Sequence, residues 1–343
     1  MAGVKGKLAA LAAAAVATFV AAAAAAQTVQ WKMHIVWVPT RPEAVSMKEF
    51  ADKATELSDG TLKITVYDSG SLGVKDPDML RILPDGGVVQ VVGLSPAYLS
   101  RDVPELPYAL PVGVLPTPED VLKVQPALDR IYREIYDRHG IKLVGLVTSP
   151  VRTTHVWCRE PINTLAALKG KKLRVWGKFQ VDTFAKLGVP AQIIPQNDLY
   201  LAMQTGVVDC AIYPLVFART VSLQEVVKNV AYLHPYADPP LGVVVSEKAF
   251  KALPAKAQQA VVEAGKWITQ RTSEQLSTGV ELDQKAAEFA RSQGVNLMAE
   301  FSKADQEAYL KASREIWLTL AKATGAKAVA NHDAVLAELE KKN

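Results

Sequence analysis

The chain has 343 residues, of which 22% are charged and 49% hydrophobic, and its formal net charge is +4. This composition is typical of a globular protein and argues against an intrinsically disordered chain. So small and evenly spread a charge argues against nucleic-acid binding, so we expect small molecules or proteins as partners.

The first 26 residues have the composition of a secretory signal peptide. Lys5 and Lys7 precede an uncharged run that ends at Ala26, and the small residues at its end fit cleavage before Gln27. A retained membrane anchor is the alternative, because the run approaches the roughly 20 residues that cross a bilayer. Alanine-rich sequence gains little from lipid, so we predict a removed signal and an exported mature chain.

Strands and helices alternate over the first half of the mature chain. The pattern predicts strands at 30–38, 62–67, 88–94 and 142–148, and helices at 43–57, 76–83 and 118–138. Such alternation is typical of a sheet with helices on both faces, the α/β class.

The same pattern starts again in the second half, which predicts a second lobe. Strands are expected at 153–157, 172–175, 191–194 and 210–213, and helices at 164–168, 181–187 and 198–205. In the strand at 172–175, Leu173 and Val175 are expected to face the core, with Arg174 and Trp176 on the opposite face. The mature length also favours two domains over one.

The carboxyl third is predicted to be helical. Residues 233–242, which hold Pro235, Pro239 and Pro240, have the composition of a crossover loop. Residues 254–294 are compatible with one very long helix, and an amphipathic helix at 305–324 ends before Gly325.

The mature chain keeps two cysteines, Cys158 and Cys210. An even number in an oxidising compartment is compatible with a disulfide, and two buried free thiols are the alternative. The five histidines show no metal-ligand spacing, and the sequence lacks the common nucleophile, zinc and dinucleotide motifs. We therefore predict no cofactor and no metal, and a periplasmic enzyme is the disfavoured alternative.

Five segments in the right order resemble the periplasmic solute-binding subunits of tripartite ATP-independent periplasmic (TRAP) transporters, the family whose founding members bind C4-dicarboxylates. The segments are 62–67 with 69–73, 104–111, 168–175, 198–209 and the Leu253-Pro254 pair. The resemblance extends from Gln30 to about Thr324, which is nearly the whole mature chain.

The resemblance implies a two-lobed α/β periplasmic binding protein with an interlobe cleft and a long bracing helix. It places lobe I at 27–149 plus about 238–277, lobe II at 150–237 plus about 278–305, and helices that pack on the lobes at 306–343. It also implies a periplasmic receptor that delivers an organic acid to membrane permease subunits without ATP. A receptor that signals to a sensor kinase has the same fold and is the alternative output.

The resemblance also assigns ligand contacts. Arg174 takes the place of the family's carboxylate-binding arginine, and its planar guanidinium can hold a carboxylate through two hydrogen bonds. Arg152 lies where relatives often carry a second binding arginine, with an interlobe or helix-terminal salt bridge as the alternative. Asp198 is expected to cap a helix and is left out of the site.

Four further residues are predicted contacts. Trp37 and Ser95 follow predicted strand ends, where open α/β sheets bind ligands. Trp176 shares a strand face with Arg174, and Tyr213 takes a position where relatives often carry a small polar residue. The three aromatic residues suggest a partly apolar or aromatic carboxylate rather than a small diacid, although each is also compatible with plain packing.

Overall fold

The computed structural model describes residues 28–341 and holds two separate mixed sheets. The predicted signal peptide, residues 1–26, lies outside the described residues. The strands are β1 Val29–His34, β2 Leu62–Tyr67, β3 Val91–Leu94, β4 Ile141–Val147, β5 Thr153–Cys158, β6 Leu173–Val175, β7 Ala191–Ile193, β8 Cys210–Tyr213, β9 Asn229–Pro235, β10 Leu241–Ser246 and β11 Asn296–Leu297.

The α-helices cover the faces of these sheets. They are α1 Pro42–Leu57, α2 Met79–Ile82, α3 Asp120–Asp137, α4 Leu165–Leu168, α5 Lys178–Lys186, α6 Leu199–Thr205, α7 Leu223–Val226, α8 Glu247–Lys251, α9 Ala255–Glu274, α10 Gly279–Ser292, α11 Lys303–Thr324 and α12 Ala326–Glu340. The predicted α/β class and two-lobed architecture are confirmed.

The first sheet has the strand order β2-β1-β3-β10-β4. β1 pairs in parallel with β2 and β3, whereas β10 runs antiparallel to both β3 and β4. One buried cluster lies between this sheet and α1 and α9, and a second cluster on the other face includes residues of α3. Burial on both faces explains why β3 and β10 are apolar throughout.

The second sheet has the order β11-β9-β5-β8-β6-β7. β5 is antiparallel to its neighbours β8 and β9, and β6 lies parallel between β8 and β7. Leu173 and Val175 face one core of this sheet, as predicted.

Two central strands were missed by the sequence pattern. The predicted crossover loop at 233–242 is shorter in the structure, because β9 continues to Pro235 and β10 begins at Leu241. β9 lies inside the second sheet and β10 inside the first, so residues 236–240 are a direct connection between the lobes. The connection from β4 to β5, residues 148–152, is another.

The predicted helix at 254–294 is two helices with a 3-10 turn, Gln275–Thr278, between them. The prediction of one unbroken helix is therefore wrong at this turn. α9 packs on α1 and β4 of the first lobe, and α10 packs on the second lobe. α9 approaches β4 so closely that a Cβ on Gly265 would overlap the carbonyl group of Val144. The two-helix unit therefore braces both lobes, as the single helix was expected to do.

The last two helices also join the lobes. α11 packs against α5 and β9 of the second lobe, and α12 packs against α3 of the first. Trp317 on α11 is buried in the core of the first lobe and donates a hydrogen bond to the Tyr108 carbonyl oxygen at 2.6 Å. Within the described residues, no helix has both the length and the apolar character needed to cross a bilayer.

Cys158 and Cys210 form a disulfide, which decides between the two alternatives left by the sequence. They are directly opposed in the antiparallel pair of β5 and β8, with Cα atoms 4.2 Å apart. The bridge fastens β5 to β8, the strand that ends at Tyr213.

Candidate solute-binding cleft

Arg174 lies in the middle of β6 and is only 1% exposed. Its Nε donates to the Ile194 carbonyl oxygen at 2.8 Å, and one terminal nitrogen donates to the Ile212 carbonyl oxygen at 3.2 Å. These bonds fix the direction of the guanidinium. Among residues 28–341, Arg174 forms no salt bridge with a carboxylate within 4.0 Å. Desolvation lowers its pKa to about 10, so the group stays charged at neutral pH but lacks a counter-ion.

Two aromatic rings flank this guanidinium. The ring centres of Trp176 and Tyr213 lie 5.9 and 5.8 Å from the Arg174 guanidinium carbon. Tyr213, at the end of β8, is 3% exposed, and its hydroxyl is buried without a hydrogen-bond partner among the described residues. The structure thus brings together Arg174, Trp176 and Tyr213, three of the residues that the sequence analysis proposed as ligand contacts.

A second buried arginine, Arg41, reaches the same region from the first lobe. It lies just before α1 and contacts the Glu43 carboxylate through Nε at 3.1 Å and a terminal nitrogen at 3.3 Å. Its guanidinium carbon also lies 3.3 Å from the ring centre of Phe217 in the second lobe. The Ser149 hydroxyl donates to Glu43 at 3.1 Å. This contact network joins the two lobes across the cleft.

The crossover between β9 and β10 adds Tyr236 and Asp238. The Tyr236 ring centre is 6.3 Å from that of Trp176. Asp238 follows two residues later in the same crossover. Desolvation, followed by the negative charge of Glu43, raises the pKa of Asp238 to about 7.

We call this set of residues the cleft ring, because each member contacts the next or acts on it electrostatically. Its members are Arg174, Tyr213, Phe217, Arg41, Glu43, Asp238, Tyr236 and Trp176. Both lobes and one crossover contribute to it. The ring combines charged groups with aromatic walls, which is the character of a small-molecule site.

Arg152 does not join the cleft ring through its side chain. The guanidinium forms an ion pair with Glu119 from the first lobe, and the charge of Arg152 also acts on Asp283 in α10. Its carbonyl oxygen accepts a hydrogen bond from the Tyr236 amide at 2.8 Å. Arg152 also lines a surface depression of about 250 Å³ beside Glu119. These contacts correspond to the interlobe salt bridge that was the alternative for this residue.

Trp37 and Ser95 lie on the first lobe, outside the cleft ring. Trp37 is half-buried against the core beside α1, and its carbonyl oxygen accepts from the Ser69 amide at 2.9 Å. Ser95 precedes the 3-10 turn Pro96–Leu99, and its carbonyl oxygen accepts from the Tyr98 amide at 3.2 Å.

Tyr98 on that turn belongs to the surroundings of the cleft. The residue as a whole is 40% exposed. Desolvation around its hydroxyl raises the pKa of that group to about 12, and the nearby charges of Asp76, Arg41 and Asp238 also act on it. Sequence reasoning missed Tyr98 and five members of the cleft ring, which are Arg41, Glu43, Phe217, Tyr236 and Asp238. The available signal was position, because Arg41 and Tyr98 both follow strands of the first sheet within a few residues.

Residues 33–323 match the sequence model of DctP, the bacterial extracellular solute-binding protein family 7. The chain belongs to this family. It is accordingly a TRAP solute-binding protein, and the resemblance predicted from the five segments is confirmed. Members of the DctP family are periplasmic solute receptors rather than enzymes.

Curated relatives agree with this family, and solved structures are similar in fold. The sialic acid-binding periplasmic protein SiaP of Vibrio cholerae is 29% identical over 265 residues, which cover 74% of this chain and 77% of SiaP. A TRAP periplasmic solute-binding protein from Desulfovibrio desulfuricans, solved with bound sn-glycerol-3-phosphate, is similar in fold with a TM-score of 0.79 at 21% identity, over 92% of this chain and 99% of that one. DctP7 of Bordetella pertussis, which binds pyroglutamic acid, has a TM-score of 0.76 at 20% identity, over 91% of this chain and all of DctP7.

Proposed function

We propose that this protein captures an organic acid in the cleft between its lobes and delivers it to TRAP permease subunits in the membrane. The observation that carries the proposal is Arg174, a buried cation with no acidic partner among the described residues. A buried charge is costly unless an opposite charge approaches it. A ligand carboxylate supplies that charge, and its two oxygens fit the guanidinium fork.

The remaining parts of the ring define the other contacts of the ligand. Trp176 and Tyr213 flank the anchor, and Tyr236 and Phe217 extend the aromatic surface. We infer that the part of the ligand beyond its carboxylate is partly apolar. We propose that Trp37 and Ser95 support the cleft from the first lobe. Arg152 is proposed to support the hinge.

Several of the similar proteins bind this ligand class, although the Desulfovibrio desulfuricans protein was solved with sn-glycerol-3-phosphate, whose anionic group is a phosphate. SiaP binds sialic acid, DctP7 binds pyroglutamic acid and a related protein of Rhodoferax ferrireducens was solved with malonate. These ligands all carry a carboxylate, although they differ in the rest of the molecule.

Capture is expected to follow from the two-lobed architecture. An open form admits the acid, Arg174 binds it, and contacts such as that between Arg41 and Phe217 close the lobes over it. Closure excludes water and strengthens the ion pair. The closed protein is the form that we expect the permease to recognise. We also propose that the signal peptide directs export and is cleaved after Ala26, which leaves the mature chain in the periplasm.

A thermal-shift screen of residues 27–343 tests the proposal. The panel contains mono-, di-, keto- and aromatic carboxylates, and the variants are Arg174→Ala and, as a matched control, Arg130→Ala, whose side chain is 61% exposed. We expect at least one acid to stabilise the parent and Arg130→Ala but not Arg174→Ala. A parent that responds to no acid, or an Arg174→Ala variant that responds fully, contradicts the proposal.

A further inference from the structure

Arg41 of the first lobe stacks on Phe217 of the second lobe. The guanidinium carbon lies 3.3 Å from the centre of the ring, so the planar cation lies directly against the aromatic face. Phe217 belongs to the 3-10 turn that follows β8, and its ring packs in the core of the second lobe beside Tyr213. Arg41 and Phe217 are both buried. The contact therefore joins the two lobes through side chains that are removed from water.

The backbone and a neighbouring carboxylate hold Arg41 in place. Arg41 precedes Pro42, the first residue of α1, and a following proline favours the extended conformation that Arg41 adopts. Its amide donates to the Val38 carbonyl oxygen at 3.0 Å, and its carbonyl oxygen accepts from the Val45 amide at 3.0 Å. The guanidinium donates to the Glu43 carboxylate through Nε at 3.1 Å and a terminal nitrogen at 3.3 Å. These contacts all lie within the first lobe, so they do not require the second lobe to be in place.

Glu43 connects this arginine to the hinge. The Ser149 hydroxyl, in the crossover between β4 and β5, donates to the Glu43 carboxylate at 3.1 Å. Glu43 and Ser149 are both buried, and Arg41 compensates the buried negative charge. When the lobes separate about this crossover, we expect the contact of Arg41 with Phe217 to break and its pair with Glu43 to remain.

The two buried arginines of the cleft differ in their counter-ion. Among residues 28–341, Arg174 forms no salt bridge, whereas Arg41 pairs with Glu43. A ligand carboxylate gains less Coulomb energy from Arg41 than from Arg174, because Glu43 repels it at the same time. Arg41 is therefore poorly suited to anchor the acid, and its contact with the second lobe is the role that its geometry favours.

We propose that Arg41 is a positioning residue for lobe closure, which stabilises the closed form by stacking on Phe217 while Glu43 holds its guanidinium in place. This inference rests on the proposed function and divides it between two arginines, since Arg174 binds the acid and Arg41 retains it. Because closure follows binding, loss of the stacking should raise the dissociation rate and leave the association rate within about twofold. The order of affinities among acids should stay the same, because Arg41 does not bind the acid.

Phe217→Leu tests the stacking, because it removes the aromatic face and keeps an apolar side chain in the core. We expect it to bind acids roughly 10-fold more weakly than the parent, the size of a cation–π contact that is shielded from water. Isothermal titration of residues 27–343 measures the affinity, and stopped-flow fluorescence measures the two rates. The probes are L-pyroglutamate, malonate and 3-phenyllactate, together with any other acid of the thermal-shift panel that stabilises the parent.

Phe289→Leu is the matched control. Its ring centre lies 5.1 Å from the Arg219 guanidinium carbon, and both residues belong to the second lobe. This variant removes a cation–π contact that does not cross the cleft, so it should bind acids as the parent does. Thermal unfolding of each variant without acid checks that it folds.

A double-mutant cycle assigns the effect to the pair of side chains. The Arg41→Gln, Glu43→Gln double variant removes the guanidinium and leaves no buried carboxylate without a cation. We expect it to lose about as much affinity as Phe217→Leu, and the variant with all three substitutions to lose no more than roughly twofold beyond either. Losses that add in full would show that Arg41 and Phe217 act separately, which would overturn the inference.

The outcomes separate this inference from the proposed function. Acids that need Arg174 but bind Phe217→Leu as tightly as the parent leave the function standing and refute the role of Arg41. An Arg41→Gln, Glu43→Gln variant that loses affinity for malonate alone also refutes it, because Arg41 would then contact the second carboxylate directly. If no acid binds the parent, the function and this inference fall together.

Discussion

At Arg174 folding and binding have conflicting requirements, because burial of its charge costs folding free energy whereas the proposed carboxylate contact requires that charge. Its guanidinium is removed from water, and the Ile194 and Ile212 carbonyl oxygens compensate only part of the lost hydration. Replacement of a buried charge by an apolar side chain of similar size is often neutral or stabilising. A residue of this kind is expected where function requires it, since proteins often give up stability at their binding sites.

Arg174→Met tests this conflict in the absence of ligand. We expect the free energy of unfolding to stay within about 1 kcal/mol of the parent, because the two freed carbonyl groups offset the relief of the buried charge. Urea denaturation measures it. A loss of more than about 3 kcal/mol would indicate that Arg174 is needed for the fold.

At this scale the sequence predicts Arg174 and the two aromatic residues beside it, but not the residues that approach from the first lobe and from the crossover. The binding role of Arg174 is predicted from the strand alternation together with the family resemblance of segment 168–175. Arg41 and Asp238 are not predicted, because their approach depends on how α1 and the 236–240 crossover are placed by strands of two different sheets. Arg152 is ambiguous in sequence, since a hinge arginine can pair with a ligand or with a lobe, and its pairing with Glu119 emerges only from the fold.

At the scale of elements, two strands were missed and one helix was predicted too long. β10 lacks alternation because it is buried on both faces, so its pattern alone is also compatible with a buried helix segment. The turn at Gln275–Thr278 has no glycine or proline within it, so its sequence does not indicate a break in the helix. It precedes Gly279, where a Cβ would overlap the Pro150 carbonyl oxygen of the β4–β5 crossover. The start of α10 therefore packs closely against this crossover.

The disulfide gives the clearest prediction for an element. The bridge joins two residues with a sequence separation of 52. In the chain-entropy description, closing a loop of this length raises the free energy of the unfolded chain by about 4 kcal/mol. We expect a Cys158→Ala, Cys210→Ala double variant to lose about 2–4 kcal/mol of unfolding free energy in urea. Addition of reductant to the parent should lower its stability and leave the variant unchanged. Equal stability of parent and variant would show that the bridge does not contribute.

At the scale of the whole molecule, buried histidines make the fold sensitive to acid. His234 stacks on Tyr309 of α11 with ring centres 4.2 Å apart, and desolvation lowers its pKa to about 4. Desolvation lowers the pKa of His155 to about 3, with a smaller contribution from His234. An unfolded histidine titrates near 6.5. Below that pH the unfolded state binds more protons than the folded state. These two histidines therefore make the folded state less stable as pH falls from about 6.5 toward 4.

His234→Gln isolates this effect from the opposite contribution of Asp238, whose raised pKa favours the folded state at lower pH. The variant loses the stacking and is expected to be less stable than the parent at pH 7.5. That deficit should shrink by up to about 2 kcal/mol at pH 5.0, because only the parent carries the histidine penalty. Urea denaturation at the two pH values measures both differences. A deficit that is constant with pH would contradict the assignment.

The whole architecture places the cleft ring where lobe closure can act on it. Arg174, Tyr213, Phe217 and Trp176 come from the second lobe, and Arg41 and Glu43 from the first. Because residues of both lobes form the cleft ring, we expect closure to complete the ligand contacts, so that binding and shape change are coupled. The sequence predicted two lobes from the repeated alternation and a crossover loop at 233–242, but not that residues of this crossover lie in the cleft ring.

The most direct test of the account is an isothermal titration of the parent and Arg174→Met with the acid that stabilises the parent best. We expect the parent to bind near a micromolar, about −8 kcal/mol. Loss of the anchor should weaken binding by about 2–5 kcal/mol, which is roughly 30-fold or more. A folded Arg174→Met variant that binds the acid as tightly as the parent would contradict the assignment of Arg174 as the carboxylate anchor.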